Sequence, residues 1–201
     1  MDLGHPTGTF TGSKLAQLGS DPALCRALLR DIGADERPVP PRSGGPNCGY
    51  RDGMRLGPEP VGFRPAGPVT SCSVAAGLHL LETRVIQPAA RRHLGTDVAA
   101  IDHAGSYSCR RLYGRPEGSY SEHATADAID ILGFQLADGG RVSVRRDWGG
   151  ETAEARFLRD VRDGSCRFFS TVLSPDYNAA HADHLHLDQA ERGSFGWRAC
   201  K

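Results

Sequence analysis

The chain has 201 residues, enough to bury one substantial core, and its 39% hydrophobic and 24% charged content is that of a folded globular domain. Acidic and basic residues number 24 each, so the formal net charge is zero and no basic footprint for nucleic acid is present. No apolar run approaches the ~18 residues that span a bilayer, and Met1-Asp-Leu-Gly has neither the basic nor the apolar region of a secretory signal. A soluble monomer is expected.

Residues 1–20 are rich in Gly, Thr and Ser without a sustained period, which predicts a flexible arm. Asp21-Pro22 then opens a helix, with Asp as its cap, Pro at its first position and Leu24, Leu28 and Leu29 as its apolar stripe up to Gly33. Residues 21–70 form an extension that wraps the core. Its stretch from 37 to 68 carries eight prolines, Pro60 among them, and reads as extended chain with short strands.

Residues 71–201 are expected as the main domain. Ser71 or Ser73 caps a helix whose Val74, Leu78, Leu81 and Val85 recur at helical spacing; Pro88 kinks or divides it and Gly95 stops it. Asp97 to His103 reads as a strand, and Ile129 to Leu136 with Arg141 to Val144 as a hairpin around Ala-Asp-Gly-Gly. A helix from about Glu151 to Val161 comes next, then strands over Arg167 to Leu173 and His184 to Asp188. Helices on a small, mostly antiparallel sheet make an α+β fold.

The six cysteines are widely spaced and contain no Cys-x-x-Cys pair, which points to disulfides and an oxidising compartment, periplasmic, envelope or extracellular. Pairing in chain order is expected: Cys25 with Cys48, Cys72 with Cys109, Cys166 with Cys200.

Four of the eight histidines lie in two short stretches, Ser121-Glu-His-Ala-Thr-Ala-Asp-Ala-Ile-Asp130 and His181-Ala-Asp-His-Leu-His-Leu-Asp188. In the second, strand alternation puts His184 and His186 on one face and Leu185 and Leu187 on the other. In the first, Ile129 and Ile131 can enter the core while Asp130 faces a cleft. Catalytic zinc takes three His, Asp or Glu ligands and leaves a fourth position for water. The two stretches, on adjacent strands, supply His123, Asp130 and His186. The isolated His5, His79, His93 and His103 are expected to be structural or exposed.

The pattern Ser-x-His, six residues, Asp, then His-x-His resembles the zinc peptidases that include D-alanyl-D-alanine carboxypeptidases, lysostaphin-type endopeptidases and the hedgehog signalling domain. More closely, Gly105-Ser-Tyr-Ser-Cys-Arg110, Ser121-Glu-His-Ala and His-x-x-His-x-His-Leu-Asp look like the bacterial extensin-like C-terminal domain family, over roughly Cys72 to Cys200. The resemblance implies a hedgehog-like or D-Ala-D-Ala-peptidase-like fold, one zinc per chain and a peptidoglycan peptide as substrate. It makes Asp183 the candidate base and places Arg110 on a substrate carboxylate or oxyanion, with Arg111 in reserve. His184 could orient water, stabilise the oxyanion or protonate the leaving amine. Ser121 and Tyr107 are candidate substrate contacts, and Asp188 or His181 could orient an imidazole. For Asp183 to serve, the strand must begin after it or bulge there. Ala126 departs from the pattern, since many D-Ala-D-Ala enzymes carry glycine there. The expected activity is hydrolysis of a peptide bond in the wall. The other readings are a catalytically silent zinc-containing envelope module and a disulfide-bonded wall protein without metal.

Overall fold

The computed structural model describes residues 3–4, 8, 10–58, 61–191 and 198–201; His5 and Pro60 fall outside them. Residues 11–20, expected as part of a flexible arm, are helical: α1 (Thr11–Gln17) runs into a 3-10 turn (Leu18–Ser20), and Leu15 and Leu18 are buried. Tertiary packing supplies what the sparse apolar pattern lacks. Helix α2 (Pro22–Asp31) starts at Asp21, whose carboxylate accepts from Leu24 N at 3.0 Å. Its buried stripe is Cys25, Leu28 and Leu29; Leu24 is 45% exposed and lies off the core.

The Pro/Gly stretch forms short strands, β1 (Arg37–Pro38), β2 (Arg42–Ser43), β3 (Gly49–Tyr50), β4 (Met54–Arg55), β5 (Gly62–Arg64) and β6 (Val69–Thr70). Strand β5 joins the main sheet, so the extension and the main domain are built into one body. Ser71 caps α3 (Cys72–Leu81) by accepting from Val74 N. A π-helical turn (Glu82–Ile86) then leads into α4 (Gln87–Leu94). Pro88 lacks an N–H and crowds the carbonyl one turn back, and the widened turn before it relieves that crowding without breaking the helix. Gly95, at φ 71°, ends the helix in the left-handed conformation.

The remaining elements are β7 (Val98–Gly105), β8 (Ala128–Leu136), β9 (Arg141–Ser143), α5 (Val144–Asp147), α6 (Ala153–Ser165), β10 (Thr171–Leu173), β11 (Leu185–Asp188) and β12 (Ala199–Cys200). The strand expected from Arg167 starts only at Thr171, because Phe168 and Phe169 N donate back to Ser165 O and prolong the end of α6. The main sheet runs β12-β10-β11-β8-β7-β5, with β9 also on β8; β10–β12 and β5–β7 are parallel and the other pairs antiparallel. Ile129, Ile131, Leu185 and Leu187 enter one core with Leu80, Leu81, Phe157 and Leu158. The fold class is α+β.

All six cysteines are paired, as Cys25–Cys72, Cys48–Cys109 and Cys166–Cys200. Only the last pair keeps to chain order. Packing of α2 on α3 brings Cys25 to Cys72, with Cα atoms 6.1 Å apart, and leaves Cys48 for Cys109. Replacing the Cys48–Cys109 pair with serines should lower unfolding free energy by about 2–5 kcal/mol. The urea midpoint reports it, and an unchanged midpoint would contradict the bridge. Three disulfides are compatible with an extracellular or envelope location. No helix among the described residues is long and apolar enough to cross a membrane.

Candidate metal centre

Strands β8 and β11 pair with His186 directly opposite Asp130, so the alternation that sends Ile129, Ile131, Leu185 and Leu187 inward turns the carboxylate and the imidazole to the other face. His123 comes from the 3-10 turn Glu122–Thr125, which Ser121 caps. That turn ends at Ala126, at φ 60° and ψ 21°. The conformation is one that favours glycine, so alanine carries about 1–2 kcal/mol of strain in the turn that presents His123.

The three groups converge. His123 Nε2 is 3.1 Å from Asp130 Oδ2 and 3.3 Å from His186 Nδ1, which lies 2.9 Å from Asp130 Oδ1. Ligands about 2.1 Å from a tetrahedral ion stand about 3.4 Å apart, so the separations match a zinc site. The outward nitrogens are committed: His123 Nδ1 donates to Ser106 O at 2.7 Å and His186 Nε2 to Asp188 Oδ2 at 3.0 Å. These outward bonds orient both rings so that His123 Nε2 and His186 Nδ1 face the centre, where a bound cation would displace a proton to reach the lone pair. Among the described residues this is the group of His, Cys, Asp and Glu side chains close enough to hold a metal.

The electrostatics agree. Burial pushes the Asp130 carboxyl up, but hydrogen bonds from His123 and His186 outweigh it and hold the group well below the usual carboxylate range. Burial pushes His186 down, but its bonds to Asp130 and Asp188 raise it to about 9, so a proton occupies the inward nitrogen when no cation does. His181 is lowered to about 4 by burial and by the neighbouring His184 and His186.

Around this centre is a cleft of about 370 Å³ whose walls include Arg110, Tyr113, Ser121, His181 and His184. Arg110 Nη2 stands 3.9 Å from Asp130 Oδ2 at the mouth, and Ser121 N donates to Arg110 O, so one loop base sets both residues. Strand β11 begins after Asp183, as its candidate role requires. Asp183 nonetheless is half-exposed, does not line the cleft, and accepts from His184 Nδ1 at 2.9 Å; His184 Nε2 then lies 3.6 Å from Asp130 Oδ1. Tyr107, expected as a substrate contact, is elsewhere: its ring meets Tyr50 edge-on at 5.6 Å and lies under the Arg42 guanidinium at 4.4 Å. Ser121 borders the cleft, and its hydroxyl also accepts from His123 N at 3.4 Å.

Sequence reasoning missed the Ser106 carbonyl, which carries no side-chain signal, and the cleft residues Leu112 and Tyr113. Asp188 was legible, because His184, His186 and Asp188 share one strand parity.

The family model described as Extensin-like protein C-terminus matches residues 23–201. The chain belongs to this family. The match takes in α2, the Pro/Gly strands and the whole sheet, a wider span than the motif-bearing stretch from Cys72 to Cys200, so the family unit includes both disulfides that tie the extension down. No curated protein and no solved structure matches the extensin-like chain.

Proposed function

We propose that the protein is a zinc-dependent hydrolase that cleaves a peptide bond in bacterial peptidoglycan, in the periplasm or cell envelope. The observation that carries the reading is the convergence of two imidazole nitrogens and a carboxylate, with both rings held from behind, in an open cleft. The likeness of the motifs to D-Ala-D-Ala and lysostaphin-type peptidases supplies the substrate class.

His123, Asp130 and His186 would hold the zinc. Bound there, it supplies Lewis acidity that polarises a carbonyl and acidifies water. The chain's own groups do the rest. His184 presents Nε2 to the cleft while Nδ1–H donates to Asp183, so His184 is the group placed to take up the proton of the attacking water and return it to the leaving amine. Asp183 thus orients and stabilises that imidazole rather than meeting water itself. Arg110, with its planar fork at the mouth, is placed to bind a substrate carboxylate or the developing oxyanion.

Elemental analysis of the purified protein, with digestion of purified peptidoglycan in the presence and absence of a chelator, tests this. About one zinc per chain and new muropeptides that disappear with chelator are expected. Zinc without products would replace the hydrolase with a silent zinc-containing envelope module, and no zinc after reconstitution would refute both.

A further inference from the structure

Five large hydrophobic side chains are exposed among the described residues, and three of them, Leu112, Tyr113 and Tyr177, stand on the two loops bordering the metal cleft, at 46%, 54% and 43% exposure. Tyr113 comes from the turn Leu112–Gly114 and sits at φ 57° and ψ 21°, a conformation costing a non-glycine residue about 1–2 kcal/mol. Its ring is not drawn into the core. It is met by the Arg115 guanidinium at 5.5 Å, and its hydroxyl lies 3.5 Å from Asn178 Nδ2 on the facing loop. Strain spent on holding an aromatic ring in solvent beside a binding cleft points to a ligand.

Tyr177 stands behind the facing loop's lining residue His181, its ring 5.5 Å from that imidazole. Asn178 links the two sides: its Oδ1 accepts from Ala180 N and His181 Nδ1, while its amide nitrogen reaches Tyr113. The cleft wall beside Tyr113 is mixed, and its polar residues include Ser119, Glu122 and Glu191.

We propose that this rim binds a neutral pyranose ring, and that the cleft therefore takes its peptide while it is still attached to glycan. A pyranose carries C–H bonds on its faces, which the negative face of a tyrosine ring attracts, and hydroxyls at its edge, which suit carboxylates, amide and serine. A wholly apolar partner would bury those polar groups unpaired, at about 1–3 kcal/mol each. Among the described residues the cleft's carboxylates, Glu122 and Glu191, stand with one lining guanidinium, Arg110, which lies 3.9 Å from Asp130 and is assigned to the peptide carboxylate or oxyanion, so no lining guanidinium is left over for a charged sugar. What the sugar is joined to rests on the hydrolase reading; the sugar site does not.

The test is binding of a β-1,4-linked N-acetylglucosamine tetramer to the full zinc-loaded chain, by calorimetry and by chemical-shift changes at the rim. Saturable binding is expected, weakened about fivefold by Tyr113→Asn and by Tyr177→Ala and kept by Tyr113→Phe. Asparagine tolerates the left-handed backbone, so its effect reports the ring. No saturable binding, or binding undiminished in both ring-removing variants, overturns the inference. Peptidoglycan hydrolysis with either of those results leaves the hydrolase standing and removes only the sugar site; sugar binding with no hydrolysis does the reverse.

Discussion

Asp130→Asn should abolish stoichiometric zinc uptake, whereas Asp188→Asn should leave zinc bound about 10–100-fold more weakly. Both changes remove one negative charge near His186 and keep the side-chain volume, so the difference between them isolates direct ligation from support. Asp130 offers one oxygen to the His123 side and the other to the His186 side. An amide can present only one oxygen, and its NH₂ would face a ring nitrogen whose lone pair the metal needs. Asp188 acts one bond further out, holding His186 Nε2 while its second oxygen accepts from Ala190 N. Dialysis with elemental analysis, and competition with a chromophoric chelator, measure the two effects. Full zinc content in Asp130→Asn would remove Asp130 from the ligand set, and with it the site as described.

The second large effect concerns Asp127. Its carboxyl is raised to about 7 from an ordinary 3.8, chiefly by burial; a hydrogen bond from Ser71 opposes the shift, and the charges of Glu122 and Asp188 add to it. An acid whose folded pKa is raised lends stability that is fully present below its unfolded pKa and lost as pH rises through the folded one. Between pH 3.8 and about 7, unfolding releases a proton and stability falls by about 1.4 kcal/mol per pH unit, to a total of about 4 kcal/mol. Asp127→Asn keeps an oxygen for the Ser71 hydroxyl and cannot ionise. The variant should match the parent in unfolding free energy near pH 4 and exceed it by about 2–4 kcal/mol at pH 8, as urea titrations at each pH report. A constant difference across that range would refute the buried, protonated state.

Local features were the ones legible in the sequence. The parity of His184, His186 and Asp188, the left-handed stop at Gly95 and the cap at Asp21 each need only a few neighbouring residues, and each is where alternation or turn chemistry puts it. The pairing of β8 with β11 was legible because the expected ligand set could form only if the two stretches met. Features decided by tertiary packing were not. Leu15 and Leu18 are too few to mark a helix until α3 covers them, and Tyr107 comes after a turn whose direction is set by the Pro/Gly strands. Asp183 has the spacing of a base, and β11 begins after it, yet its carboxylate turns to His184 Nδ1 and stays off the cleft, a side-chain choice that spacing does not reveal.

The disulfide order constrains how the chain can be made. Cysteines leave a ribosome or translocation pore in the order 25, 48, 72, 109, and an oxidant acting on each pair as it emerges would join Cys25 to Cys48 and then Cys72 to Cys109. The native bonds interleave, each enclosing one partner of the other. Correct pairing therefore needs Cys25 to stay reduced until Cys72 has emerged, and Cys72 to be taken before it meets Cys109, or a thiol catalyst to exchange early bonds afterwards. Yield in a host should then depend on disulfide isomerase more than on oxidase, and the last pair, Cys166–Cys200, should form without such help.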